Sequence, residues 1–291
     1  MLLKQPLFIA CTMAATLLFS CKKADIASPA TQDASVASEQ LSSFNTAADE
    51  NNTDNVLFSE VMESDQAAVS SGSPEPTAKV TYSPSKDQYP QTVTKDYGAG
   101  ITNKFGHTKK GKLIITYSGP IKTAGSVSIT IFDNYYIDGK KIRGKQALEN
   151  VTKPGGPLTY SLLADRQNIY PNGDYSKAIS NKINTLTEGA STNTTGDDGY
   201  NVVGQTFGTQ FTNGNKTTFT ATIDNKSPLH QMNTCEFPDA GVVNATVVLN
   251  KGGTFRESLD YGAGSCDSDA ILTVNKKNYN ITLPLTFWPA E

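Results

Sequence analysis

Beyond Lys79, apolar and polar residues alternate strictly along several stretches, and a period of two is the signature of a strand half-buried on one face. Val127, Ile129 and Ile131 alternate with Ser126, Ser128 and Thr130, and Phe219, Ala221 and Ile223 alternate with threonines. Val243, Ala245, Val247 and Leu249 repeat the pattern, as do Tyr279, Ile281 and Leu283. Asp138-Gly139, Asn172-Gly173, Asn213-Gly214 and Gly252-Gly253 separate such runs. Short turns of this chemistry join antiparallel neighbours, because their backbone twist matches that of the strands. No long amphipathic helix interrupts the series. Residues 79–291 are therefore expected to form an all-β domain. Its strands should make an antiparallel hairpin meander, curved into a sandwich, an open barrel or an extended sheet.

The first residues carry an address. Lys4 precedes an apolar run from Leu7 to Phe19, too short to span a bilayer but suited to the core of a signal peptide. The run ends in Leu17-Leu18-Phe19-Ser20-Cys21, a small residue before a cysteine with leucine three positions ahead of it. This resembles a lipobox, in which the cysteine thiol takes up diacylglycerol before cleavage. Residues 1–20 are thus expected to leave as a signal peptide, with Cys21 lipidated. The membrane is then a partner through that lipid, and two or three acyl chains suffice for stable anchoring. Lys22, rather than aspartate, follows the cysteine, which favours the outer membrane of a cell envelope. Whether the domain faces outward or into the periplasm stays open. A transmembrane β-barrel fits poorly with a lipidation signal, a polar leading segment, irregular strand spacing and no C-terminal phenylalanine.

Charge is divided along the chain. Residues 22–78 hold 10 acidic and 2 basic side chains, whereas 79–291 hold 18 acidic and 22 basic. The segment 21–78, rich in Ser, Ala, Asp, Glu, Asn and Thr, is expected to be an acidic, mostly disordered tether, since it offers little apolar area to offset ordering entropy. Leu57 with Val61 and Phe58 with Met62 stand at helical spacing, and Asp54 suits a cap. A short helix near 54–65, docked on the domain, is the expected exception.

Of four cysteines, Cys11 departs with the signal and Cys21 carries lipid. Cys235 and Cys266 remain as an even pair in an oxidising compartment, and a disulfide between them is predicted.

Asp96-Tyr97-Gly98-Ala99-Gly100 recurs as Asp260-Tyr261-Gly262-Ala263-Gly264. Glycines beside strands act as turn or bulge punctuation, so two equivalent structural corners are favoured over a pair of ligand loops. Together with Gly111–Tyr117, Phe132–Gly139 and Leu259–Asp267, these motifs resemble an uncharacterised group of Bacteroidetes envelope lipoproteins over most of residues 90–285. The resemblance implies the envelope address and β architecture, and no activity. In that group a cysteine is expected soon after the first motif. Ile101 stands here instead.

Catalytic signatures are thin. The two histidines, His107 and His230, sit in no metal motif, and G-x-S-x-G, P-loop and dinucleotide fingerprints are absent. No catalytic residue, metal or cofactor is assigned. Asp260, Asp267 and Asp269 could supply some oxygen ligands to calcium, but their spacing is not that of a calcium loop and turn-stabilising bonds explain them better. A carbohydrate-active enzyme with paired carboxylates is a residual alternative. The basic stretch offers more. Lys109, Lys110 and Lys112 are followed by Lys140, Lys141, Arg143 and Lys145, with Tyr135 and Tyr136 between. Tyr135, Tyr136, Lys140, Lys141 and Arg143 are the candidate ligand-binding set, because cations with aromatic faces suit a glycan. The bland alternative is a solvated strand edge guarded by lysines. Nucleic acid is disfavoured by compartment and mild net charge. The leading expectation is a non-enzymatic lipoprotein that binds a glycan or an envelope protein, with a structural scaffold as runner-up.

Overall fold

The computed structural model describes residues 34–65, 78–103, 106–192, 194–250 and 252–283. Residues 1–20 and Cys21 lie outside them. Helix α1 (Ala34–Asp65) precedes strands β1 (Lys79–Ser83), β2 (Gln91–Asp96), β3 (Ile101–Thr102), β4 (Thr108–Tyr117) and β5 (Val127–Ile137). The chain continues through β6 (Lys140–Asn150), β7 (Thr159–Ile169), β8 (Tyr175–Glu188), β9 (Gly199–Thr212) and β10 (Asn215–Ile223). It ends with β11 (Leu229–Met232), β12 (Ala240–Val248), β13 (Thr254–Ala263), β14 (Asp269–Val274) and β15 (Lys277–Thr282).

All the strands join one antiparallel sheet, with β1 and β15 at its edges and the short β3 and β11 paired beside the main path. The meander is as the alternation and turns require. Asp138-Gly139 and Asn213-Gly214 both hold positive φ, and they close the β5–β6 and β9–β10 hairpins. Asn275-Lys276 closes β14–β15 in the same left-handed conformation without a glycine.

The sheet wraps around α1. Side chains of β2, β4, β6, β7, β8, β9 and β11 all reach the helix. At 100° per residue, the contacting positions on α1 sweep an arc of about 280° around its axis. The remaining strip, with Asn45, Asn52, Val56 and Glu63, lines a cavity.

Two expectations are overturned here. Residues 34–65, expected to be mostly disordered apart from 54–65, form a 32-residue helix. Asp54 is not its cap: it lies mid-helix and is 1% exposed. Composition counted the segment's own apolar area alone, whereas Asp49, Glu50, Asp54 and Glu60 of this helix find charged partners in the sheet and Phe44, Phe58, Val61 and Met62 join its core. The second concerns β5. Ile129 and Ile131 face outward and are exposed, while Ser126, Ser128 and Thr130 are buried. Ser128 lies between the buried Tyr117 and Leu148 and Thr130 between Ile115 and Gln146, so the small residues sit among larger core side chains and the isoleucines turn out. At β10 and β12 the apolar members do face inward: Phe219, Ala221, Ile223, Val243, Ala245 and Val247 are buried.

Apolar packing secures the C-terminal half of the docked helix on two sides. Phe58 meets Tyr160 and Tyr200 edge-on, with ring centroids 5.8 and 4.9 Å away. Leu57 enters a second cluster with Tyr97, Leu113, Tyr135, Ile137 and Ile142. The repeated motif forms two like corners. Asp96 accepts a bond from the Gly98 amide and Asp260 from the Gly262 amide, each at 2.9 Å, and Tyr97 and Tyr261 are each 6% exposed.

Candidate functional site

Alternation splits the basic stretch between the two faces of the sheet. Lys140 turns inward, where its ammonium donates to Asp49 at 2.5 Å and Thr53 at 2.9 Å. Tyr135 also turns inward and is fully buried. Neither can join Tyr136, Lys141 and Arg143 in one surface face, which corrects the expected five-residue set. The inward turn follows from a register shift in β5 between Ile131 and Tyr136, opposite another in β4 between Lys110 and Lys112. Gly111 makes the latter possible: its φ is 81°, and a Cβ there would lie 1.9 Å from the Asn134 carbonyl oxygen.

The outward members do gather. Register places Lys110 beside Tyr136, Tyr136 beside Lys141, Lys141 beside Ile169 and Ile169 beside Tyr175. The row continues through Phe211 to Lys216. It crosses β4 to β10, and six interstrand steps make it about 29 Å long. Lys110 and Lys141 each lie 5.3 Å from the centre of the Tyr136 ring, and Tyr175 stacks on Phe211 at 4.4 Å. One register step along, Arg143, Gln167 and Lys177 form a second row. Tyr175, Lys177 and Phe211 were missed in the sequence because they lie on strands distant in the chain. Only the pairing order brings them beside β6.

The inner face carries a different set of charges. Asp54 meets Arg166 at 2.5 Å and Lys182 at 2.7 Å, with those two cations 1% and 2% exposed. Glu50 accepts from Asn168 at 2.8 Å, Ser176 at 2.5 Å and Arg166 at 3.4 Å. Glu60 is held by Lys95, Lys109 and the Tyr97 hydroxyl. Burial lifts the Glu50 carboxyl above its ordinary range against Arg166 and Ser176. At Asp54 burial acts the same way but is outweighed by Arg166 and Lys182 together, and the carboxyl is held below its usual range.

That cavity, along the strip of α1 with Asn45, Asn52, Val56 and Glu63, measures about 790 Å³. Its lining includes His107, whose Nδ1 bonds Asp138 at 2.7 Å and whose Nε2 bonds Glu236 at 3.2 Å. His107 lies ahead of β4 and Glu236 follows β11, so this contact joins segments from distant parts of the sheet. Glu236 is steadied by the predicted disulfide, Cys235–Cys266. At Asp138, burial is outweighed by the bonds from His107 and the Thr108 amide, which keep the carboxyl below its ordinary range. That is the reverse of what a general acid for glycoside cleavage needs.

No protein-family model, curated protein or solved structure matches the chain.

His230 also has a relay-like setting, with Asp239 on Nδ1 at 2.7 Å and the Thr187 hydroxyl 3.3 Å from Nε2. The hydroxyl proton is directed to the Gly199 carbonyl at 3.1 Å, so the group ties β8, β9 and β11 together. In the acidic loop, Asp260 and Asp267 accept amide bonds from Gly262 and Asp269, and Thr282 donates to Asp269 at 3.4 Å. These are the turn bonds expected of short carboxylates.

Proposed function

We propose that this protein is a lipid-anchored envelope lipoprotein that acts as a non-enzymatic binding module for an anionic glycan. The carrying observation is the outward row Lys110, Tyr136, Lys141, Tyr175, Phe211 and Lys216, backed by Arg143 and Lys177. Ammonium and guanidinium groups attract carboxylate or sulfate, while ring faces stack on sugar C–H groups. The row is long and strand-borne, which suits a chain-like ligand lying across the strands. The lipobox-like segment ending at Cys21 supports the anchor. In the cavity Asp49, Glu60, Asp138 and Glu236 are engaged by cations, His107 or hydroxyls, and Glu63, whose carboxyl is raised by burial and by Glu60, lies 3.4 Å from Lys95.

Retention of the domain on a column of immobilised polygalacturonate fragments tests the reading, with neutral dextran as control. The wild type is expected to bind at 50 mM salt and elute well below 0.5 M, as exposed charge contacts are screened. Charge reversal in Lys141→Glu, Arg143→Glu and Lys177→Glu should weaken binding at least tenfold with melting unchanged. Equal retention of that triple variant would overturn the assignment.

A further inference from the structure

The cavity along α1 draws its lining from distant parts of the chain: Asn45, Asn52 and Val56 of the helix, Pro171 of the β7–β8 connection, and Phe237 and Pro238 after β11. At about 790 Å³ it falls within the range of small-ligand sites, roughly 300–1,000 Å³. Its lining on α1 runs from Asn45 to Glu63, a rise of about 27 Å, so the space suits an elongated occupant.

Every charged side chain of the lining already has a partner. Asp49 meets Lys140, Glu60 meets Lys95 and Lys109, Glu63 meets Lys95, and His107 lies between Asp138 and Glu236. A charged ligand would have to compete with these pairs, whereas a neutral one leaves them intact. What the lining offers instead is amides. Asn45, Asn52, Asn55, Gln231 and Asn233 all border the cavity. The Asn52 side chain has no hydrogen-bond partner among the described residues. Asn55 with Gln231, and Ser59 with Asn233, meet only at 3.4 Å, long for such bonds and readily exchanged for a ligand. Asparagine is a poor helix former, because its side chain competes for backbone bonds, yet Asn45, Asn52 and Asn55 all line the cavity from α1. Departures from local propensity gather at functional sites.

We propose that this cavity is a binding site for a short, neutral oligosaccharide, separate from the outward row. An amide presents a donor and an acceptor side by side, and so meets a sugar hydroxyl in either role. Tyr170, Phe237, Pro171 and Pro238 supply apolar faces for the sugar C–H groups. The length of the lining accommodates a few linked sugars and not a single ring.

The probes are end-labelled cellotetraose, maltotetraose and mannotetraose, offered to the full chain and followed by fluorescence polarisation. At least one is expected to bind, and about 0.5 M salt should leave its affinity unchanged, because no ion pair forms. Asn52→Leu removes the amide while improving helix propensity, and should weaken that probe at least about tenfold. Ser59→Trp, which fills the cavity, should abolish binding. Silence of all three probes overturns the proposal, as does binding that falls in salt or persists equally in folded Asn52→Leu and Ser59→Trp. Hydrogen exchange on the wild type decides the matter should the variants not fold. Slowing within 45–59 and 231–238 on addition of the probe supports the site; slowing confined to other segments overturns it.

Discussion

Glu257 on β13 faces inward, is 4% exposed, and among the described residues neither of its carboxyl oxygens has a partner. Burial pushes its carboxyl up to about 7. The unfolded chain ionises near the ordinary value of 4.5 while the folded protein stays protonated up to about 7. The stability linked to this residue is thus fully present below pH 4.5 and is lost as pH rises to 7. Over that span the loss amounts to about 3 kcal/mol at 1.36 kcal/mol per unit. Glu257→Gln removes the titration. Urea melts at pH 5 and pH 8 should show the variant gaining roughly 2–3 kcal/mol on the wild type between them. A parallel pH slope in both proteins would contradict this account. From the sequence, Glu257 is one acid among many; its isolation exists only after β12 and β14 are paired on either side.

At the scale of elements, the decisive contact is α1 against β7 and β8. Asp54 serves two buried cations, so Asp54→Asn leaves Arg166 and Lys182 short of one shared carboxylate. Removal of one partner from a buried network costs about 3–5 kcal/mol. The half-exposed pair of Lys112 with Asp96, 3.5 Å apart, is the contrast: Lys112→Met should cost under about 1 kcal/mol. Thermal melts of the two variants should therefore separate widely, with early loss of helical circular dichroism in Asp54→Asn alone. Similar melts would mean that α1 is held by Leu57 and Phe58 and not by charge. The helical spacing of Leu57, Phe58, Val61 and Met62 was legible in the sequence. The thirty-two-residue extent was not, because helix propensity is a local quantity and the partners of Asp49, Glu50 and Asp54 lie more than ninety positions away.

For the whole molecule, the wrapped sheet is drawn together at His107 and Glu236, and the disulfide holds the Glu236 loop to the β13–β14 connection. Closing a loop of 31 residues adds about 3.5 kcal/mol in the chain-entropy treatment. The proposed lipid anchor belongs to this scale too, since it would decide what the outward row can meet. Cells fed an alkyne-tagged fatty acid should label the full-length protein at Cys21. Cys21→Ser should lose the label and shift the protein from membrane to soluble fractions. Membrane retention of unlabelled Cys21→Ser would refute lipid anchoring.

Period-two alternation and left-handed turn dipeptides are local, so the sequence by itself determined the antiparallel meander, its hairpins and the paired corners at Tyr97 and Tyr261. The Cys235–Cys266 pairing followed from elimination in the same way. Which face of β5 lies inside was decided by tertiary structure, because alternation defines two faces and only the opposing element says which is core. Here Ser128 and Thr130 face inward beside Tyr117, Leu148 and Ile115, and Ile129 and Ile131 face out. The same wrapping divided Lys140 from Lys141 and gathered Tyr136, Tyr175 and Phe211 into one outward row, since register between strands is a property of the folded sheet and not of any single segment.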